Sequence, residues 1–74
     1  MRLEVRLFAY FREGRGKKIF IDDDNISTIK EVLEFINLGE EEISLLLLNG
    51  FDGTVHRQLK DGDVLSLFPP VGGG

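Results

Sequence analysis

Only one stretch of this sequence has helical periodicity, and the other apolar stretches have the period or the length of strands. Ile29, Val32, Leu33 and Ile36 recur at i, i+3, i+4 and i+7, which makes one apolar stripe on one helix. A single helix cannot cover both faces of a sheet. The chain is therefore constrained to an α+β layer pair, with the helix across one sheet face and the other face left open. With 74 residues and no cysteine, no disulfide can staple this arrangement, so one small core must hold it by packing alone.

The strands follow from alternation and from turn residues. Leu3, Val5, Leu7 and Ala9 alternate with Arg2, Glu4 and Arg6, which predicts a first strand over 2–9 with Leu3, Val5 and Leu7 inward. Lys18 to Asp22 reads as a second strand with Ile19 and Ile21 inward. Glu13-Gly14-Arg15-Gly16-Lys17 lies between the two as the turn of an antiparallel hairpin. Thr28 and Glu31 have the spacing of a capping box, and Gly39 is placed to end the helix at positive φ, about ten residues on. Leu45 to Leu48 is wholly apolar, too short for a buried helix and suited to a buried strand, and is closed by Asn49-Gly50. Phe51 to Leu59 reads as irregular or as a short strand. After the turn Asp61-Gly62-Asp63 comes a last strand over Val64 to Phe68, which Pro69-Pro70 must terminate because proline donates no ladder hydrogen bond. This order is that of a β-grasp (ubiquitin-like) roll, a mixed sheet of four to five strands with one main helix on one face. The expected division is one domain over 1–70 and a flexible glycine tail over 71–74.

Composition narrows the partners. Net charge is −4 and the sequence pI is near 4.8, which argues against nucleic acid. No apolar run approaches the roughly 20 residues that span a bilayer, and no secretory h-region is evident, so the expectation is a cytoplasmic protein without a membrane partner. Arg12, Arg15, Lys17 and Lys18 cluster, while Asp22 to Asp24 and Glu40 to Glu42 form acidic runs. Such runs are ordinarily solvated turns. Gly14-Arg15-Gly16-Lys17-Lys18 lacks phosphate-loop spacing and is read as a hairpin turn whose charges orient a partner. Asp22-Asp23-Asp24-Asn25 lacks the ligand spacing of a calcium loop, and His56 has no neighbouring ligand or nucleophile. No bound metal or cofactor is expected.

Two features exceed what folding needs. Strand parity turns Phe8, Phe20 and Phe68 toward the uncovered sheet face, and contiguous exposed apolar area marks an interface. The end, Val71-Gly72-Gly73-Gly74, has no side chain to pack after the first residue. Pro69-Pro70 stiffens its base. Stiffness followed by slimness suits a tail that threads a narrow channel and offers its terminal carboxylate, on Gly74, to an enzyme.

Phe68-Pro69-Pro70-Val71-Gly72-Gly73-Gly74, preceded by Asp61-Gly62-Asp63, resembles the end of the molybdopterin synthase small subunit. Leu7-Phe8-Ala9 with Arg12-Glu13 resembles that family's first strand and following turn, and Asn49-Gly50 its later turn. The resemblance implies a non-catalytic sulfur carrier. A partner adenylyltransferase of the ubiquitin-activating type would use ATP to adenylate Gly74, and sulfur would displace the adenylate to leave a thiocarboxylate. The tail would then enter the active site of the synthase large subunit, where the sulfur passes to a pterin precursor of the molybdenum or tungsten cofactor. On that reading Gly74 is the reacting residue and Val71, Gly72 and Gly73 bind as the tail. Phe8, Phe20, Phe68, Pro69, Pro70 and Arg12 make the partner surface. Two alternatives share the same activated Gly74: a thiamine-pathway sulfur carrier, and a ubiquitin-like modifier joined to lysines.

Overall fold

A computed structural model of the chain describes residues 1–70. The expected flexible tail, residues 71–74, lies outside the described residues. Among the described residues five strands form one mixed sheet: β1 (Arg2–Leu7), β2 (Lys18–Asp22), β3 (Leu45–Leu48), β4 (Phe51–Asp52) and β5 (Val64–Phe68). Their spatial order is β2-β1-β5-β3-β4. β1 and β5 run parallel at the centre and the other pairings are antiparallel. One helix, α1 (Ile29–Phe35), supplies the second layer. This is the β-grasp roll that the element order predicts.

Register explains the core. Leu3 faces Ile21, Val5 lies between Ile19 and Leu65, and Leu67 lies between Leu7 and Leu46. These inward positions meet Ile29, Val32 and Leu33 of α1 and Ile36 at its C-cap in one buried cluster. Each fully buried aliphatic side chain of this kind contributes about 1.5–3 kcal/mol relative to exposure. Of the apolar run Leu45 to Leu48, only Leu46 and Leu48 are buried; Leu45 is exposed and Leu47 half-buried. The expected buried strand thus forms with only alternate residues buried. The sheet has a helix on one side only, so alternate leucines must face the open side.

The link between β1 and β2 is more than a hairpin turn. β1 ends at Leu7, and Ala9, at φ 53, sends the chain into a 3₁₀ turn over Ala9–Arg12. That turn drops Phe11 into the core at 1% exposure. Arg15 does not stand free to orient a partner. Its guanidinium donates to the carbonyl oxygens of Phe11, Ile36 and Asn37 at 3.3–3.4 Å, at the C-terminal end of α1, where a cation complements the helix dipole.

Both ends of α1 are capped. Thr28 Oγ1 accepts from Glu31 N, while Glu31 Oε1 accepts from the backbone N–H groups of Ser27 and Thr28 at 2.9 and 3.0 Å. The amides of Ile29 and Lys30 donate to the carbonyls of Arg57 and Val55. The irregular segment after β4 therefore closes the helix N-terminus. At the other end the sequence expectation is corrected: α1 has seven residues, not about ten, and Gly39 does not terminate it. Asn37 does, at φ 60, while Gly39 sits at φ −77. Leu38 N donates to Leu33 O, and Asn37 N donates to Glu34 O, a Schellman closure. Asn tolerates the left-handed region, and ending there lets Leu38 fold back into the core.

Asn37→Ala should cost about 1 kcal/mol in urea unfolding and Asn37→Gly close to nothing, because only the former puts a strained Cβ at positive φ. Glu31 supplies a pH test. The hydrogen bonds donated by Ser27, then by Thr28, hold its carboxyl below the ordinary 4.5. A lowered folded-state pKa means stability that is present above the unfolded value and is lost as pH falls through the folded one. Glu31→Gln keeps an acceptor but does not titrate. The stability gap between wild type and this variant should be largest near neutral pH and shrink as pH falls below the ordinary 4.5. A gap that is constant with pH would show that Glu31 is not acting as a charged cap.

Candidate functional site

The parallel pairing of β1 and β5 puts their last residues at the same end of the sheet, with Leu7 opposite Leu67. The next residue of each strand is a phenylalanine facing the open side. Phe8 and Phe68 stack with ring centroids 4.2 Å apart and an interplanar angle of 13°. The Arg12 guanidinium lies 5.2 Å from the Phe8 centroid, and Arg12 Nε donates to Leu7 O at 2.7 Å. The cation is thus aimed at the ring face by a backbone contact, as a cation–π pair requires.

Around this stack lies a groove of ≈ 480 Å³ lined by Phe8, Ala9, Tyr10, Ser44, Leu45, Phe68, Pro69 and Pro70. Leu45 is opposite Phe68 in register and 41% exposed; Tyr10 is 49% exposed. Ser44 N donates to Phe68 O, which holds the end of β5 against β3. Pro69 is buried and Pro70 exposed, and both line the groove wall.

Of the sequence-expected surface, the structure brings together Phe8, Phe68, Pro69, Pro70 and Arg12. It does not bring Phe20 to them. Phe20 shares the open face and is 69% exposed, but it stands opposite Glu4 on edge strand β2, about 13 Å along the sheet from Phe8. It borders a different groove, with Arg2, Glu4, Asp22 and Val64. Between the two aromatic positions Arg6 donates to Glu4, and that hydrogen bond lowers the Glu4 pKa. Val71, Gly72, Gly73 and Gly74 lie outside the described residues. Tyr10 and Leu45 went unrecognised. Leu45 carried a signal, because a strand beside β5 on a half-covered sheet must turn alternate leucines outward. Tyr10 carried none, since its position depends on the 3₁₀ turn. Among the described residues no cluster of His, Asp or Glu is placed to hold a metal ion, and no helix is long and apolar enough to cross a membrane.

Comparison with known proteins places this geometry. The model of the ThiS family matches residues 5–74. The chain belongs to the ThiS family. Small archaeal modifier protein 3 of Haloferax volcanii is 36% identical over 94 aligned positions that span both chains completely. The crystal structure of small archaeal modifier protein 1 from Haloferax volcanii matches with a TM-score of 0.81 and 27% identity, again over all of both chains. In Helicobacter pylori 26695, a chain of the complex between subunits 1 and 2 of molybdopterin-converting factor matches over its whole length, with a TM-score of 0.67 and 31% identity. This ThiS-family chain is thus a small ubiquitin-like protein of the sulfur-carrier and modifier class, homologous to the molybdopterin-converting small subunit whose C-terminal motif it resembles.

If stacking, and not mere apolar area, holds the groove, then Phe8→Leu and Phe68→Leu should be non-additive. A double-mutant cycle in urea unfolding should give a coupling of about 0.5–1.5 kcal/mol. A coupling near zero would make the two rings independent surface side chains.

Proposed function

We propose that this ThiS-family protein carries sulfur as a thiocarboxylate on Gly74 and delivers it to a pterin precursor within a molybdopterin synthase large subunit. The observation that carries the reading is the position of the Phe8–Phe68 stack and its groove at the base of the tail. A partner that buries the two rings receives the tail at its own surface, where a channel can admit glycines without Cβ atoms. The structure of subunits 1 and 2 together in the Helicobacter pylori relative supports a large-subunit partner of this kind.

The chemistry needs little from this chain. A carboxylate is a poor electrophile. A ubiquitin-activating-type partner would use ATP to make the Gly74 acyl adenylate and release pyrophosphate. Attack by sulfide would then expel AMP and leave the thiocarboxylate as nucleophile; attack by a persulfide would expel AMP to give an acyl disulfide, which a second thiol must cleave to release the thiocarboxylate. The catalytic side chains belong to the partners, and the cell compartment in this reading is the cytoplasm. Since the sequence has no cysteine, its sulfur rides on the backbone terminus.

A second reading is favoured by a specific finding, the 36% identity to a small archaeal modifier protein. In that case the same adenylate is joined to a lysine. One experiment separates the two. The protein is incubated with ATP, a sulfur source and candidate activating enzymes, then treated with a thiol-directed alkylating reagent. Labelling mapped to Gly74 supports sulfur carriage; an unlabelled chain found in lysine conjugates supports the modifier.

Deletion of Gly74 should abolish sulfur transfer with unchanged unfolding, and a truncated chain that still supports transfer would overturn the mechanism. Phe68→Ala should weaken large-subunit binding by about tenfold or more, the equivalent of 1.4 kcal/mol, and lower folding stability by less. Unchanged affinity with a large stability loss would make Phe68 a folding residue only.

A further inference from the structure

The two sheet edges differ. β4 is two residues long, whereas β2 offers five residues, Lys18–Asp22, with no strand on its outer side among the described residues. The β1–β2 ladder fixes which of its backbone groups are free. Leu7 N donates to Lys17 O, and Asp23 N donates to Met1 O. With the register Leu3↔Ile21 and Val5↔Ile19, the hydrogen-bonded pairs of this antiparallel ladder fall at 17, 19, 21 and 23. The N–H and C=O groups of Lys18, Phe20 and Asp22 therefore point away from β1, to the open edge.

That edge is self-complementary. An antiparallel copy of β2 centred on Phe20 sets Phe20 opposite Phe20, Lys18 opposite Asp22, and Lys17 opposite Asp23. The two charge relations each occur twice by symmetry, and the Phe20 pair lies once on the axis. The pairs at 18, 20 and 22 are the ones whose backbone groups are free, so six N–H···O bonds can form between two copies. Lys17 and Lys18 enter no ion pair among the described residues. Asp22 is 3.9 Å from the Met1 ammonium, which is held more closely by Asp24 at 2.6 Å. Asp23 Oδ1 accepts from Asn25 N. The acidic run that ends β2 thus keeps charge for a partner. An edge lysine ordinarily deters strand pairing, but here a second copy is the strand that brings an aspartate to meet it. Phe20, highly exposed and outside the groove of the candidate site, gains a cover.

We propose that β2 is a homodimerisation edge, pairing antiparallel with β2 of a second copy about a two-fold axis at Phe20. The two sheets become one of ten strands, with both Phe8–Phe68 grooves on the same open face and both helices on the other. The proposal rests on the edge geometry and is independent of what the tail carries.

Sedimentation velocity on the full chain across a concentration series tests it. Wild type should show a reversible monomer–dimer equilibrium that weakens with added salt, as charge pairing requires. Lys18→Glu and Asp22→Lys should each weaken self-association about tenfold or more, because each sets like charges opposite one another. An equimolar mixture of these two variants should dimerise about as well as wild type, because each mixed pair restores opposite charges. Folding defects cannot produce that rescue. Concentration-dependent amide-exchange protection should appear at Lys18, Phe20 and Asp22 and be absent at Ile19 and Ile21. A wild-type chain that stays monomeric at every concentration would overturn the proposal. So would charge variants that dimerise unchanged, or a mixture that fails to recover.

Discussion

The rest of the molecule depends on the parallel contact between β1 and β5. Parallel neighbours cannot be joined by a tight turn, so the chain between them must cross over, and here it does so through β2, α1, β3 and β4. The start of the contact is fixed by the turn before β5. Gly62 N donates to Arg2 O, Arg2 N donates to Asp61 Oδ1, and Glu4 N donates to Asp63 O. Asp63 also accepts from Lys60 N and from Asn49 Nδ2, while Val64 N donates to Asn49 Oδ1. The turn thus ties β5 to β1 on one side and to the end of β3 on the other. With the start of β5 held there, its far end falls beside the far end of β1.

The site is a consequence of that register. Since Leu7 meets Leu67, the residue following each is brought to its counterpart, and both are phenylalanines. An antiparallel arrangement of the same two strands would put Phe8 and Phe68 at opposite ends of the sheet. The open face is equally a consequence of having one helix. An aromatic stack on a covered face would be core, and on this face it is a surface that another protein can take. Pro69 and Pro70 then stop the ladder at the groove, so that the chain leaves the sheet where the apolar surface is.

The connections show where local sequence signals were overruled. Gly39 has the backbone freedom to end a helix, but the helix closes at Asn37, because stopping there returns Leu38 to the core and brings the Ile36 and Asn37 carbonyls within reach of Arg15. Asn49-Gly50, by contrast, behaves as its dipeptide demands, with φ of 53 and 86 in a two-residue hairpin loop between Leu48 and Phe51. The difference is one of competition. A two-residue loop has only local geometry to satisfy, whereas a helix end also has to place the residues that follow it.

The sequence alone determined the strand parities, the capped helix, the single covered face and the glycine tail with its proline base, because each rests on a period or a conformational preference of neighbouring residues. It also carried the C-terminal motif by which the chain resembles the molybdopterin synthase small subunit. Tertiary structure decided the rest. It placed Phe8 on Phe68 and separated Phe20 from both, buried Phe11, committed Arg15 to the helix end, and divided Leu45 to Leu48 between two faces. Those outcomes depend on which strands become neighbours and in which direction they run, and that is set by contacts between residues far apart in the chain, where periodicity carries no information.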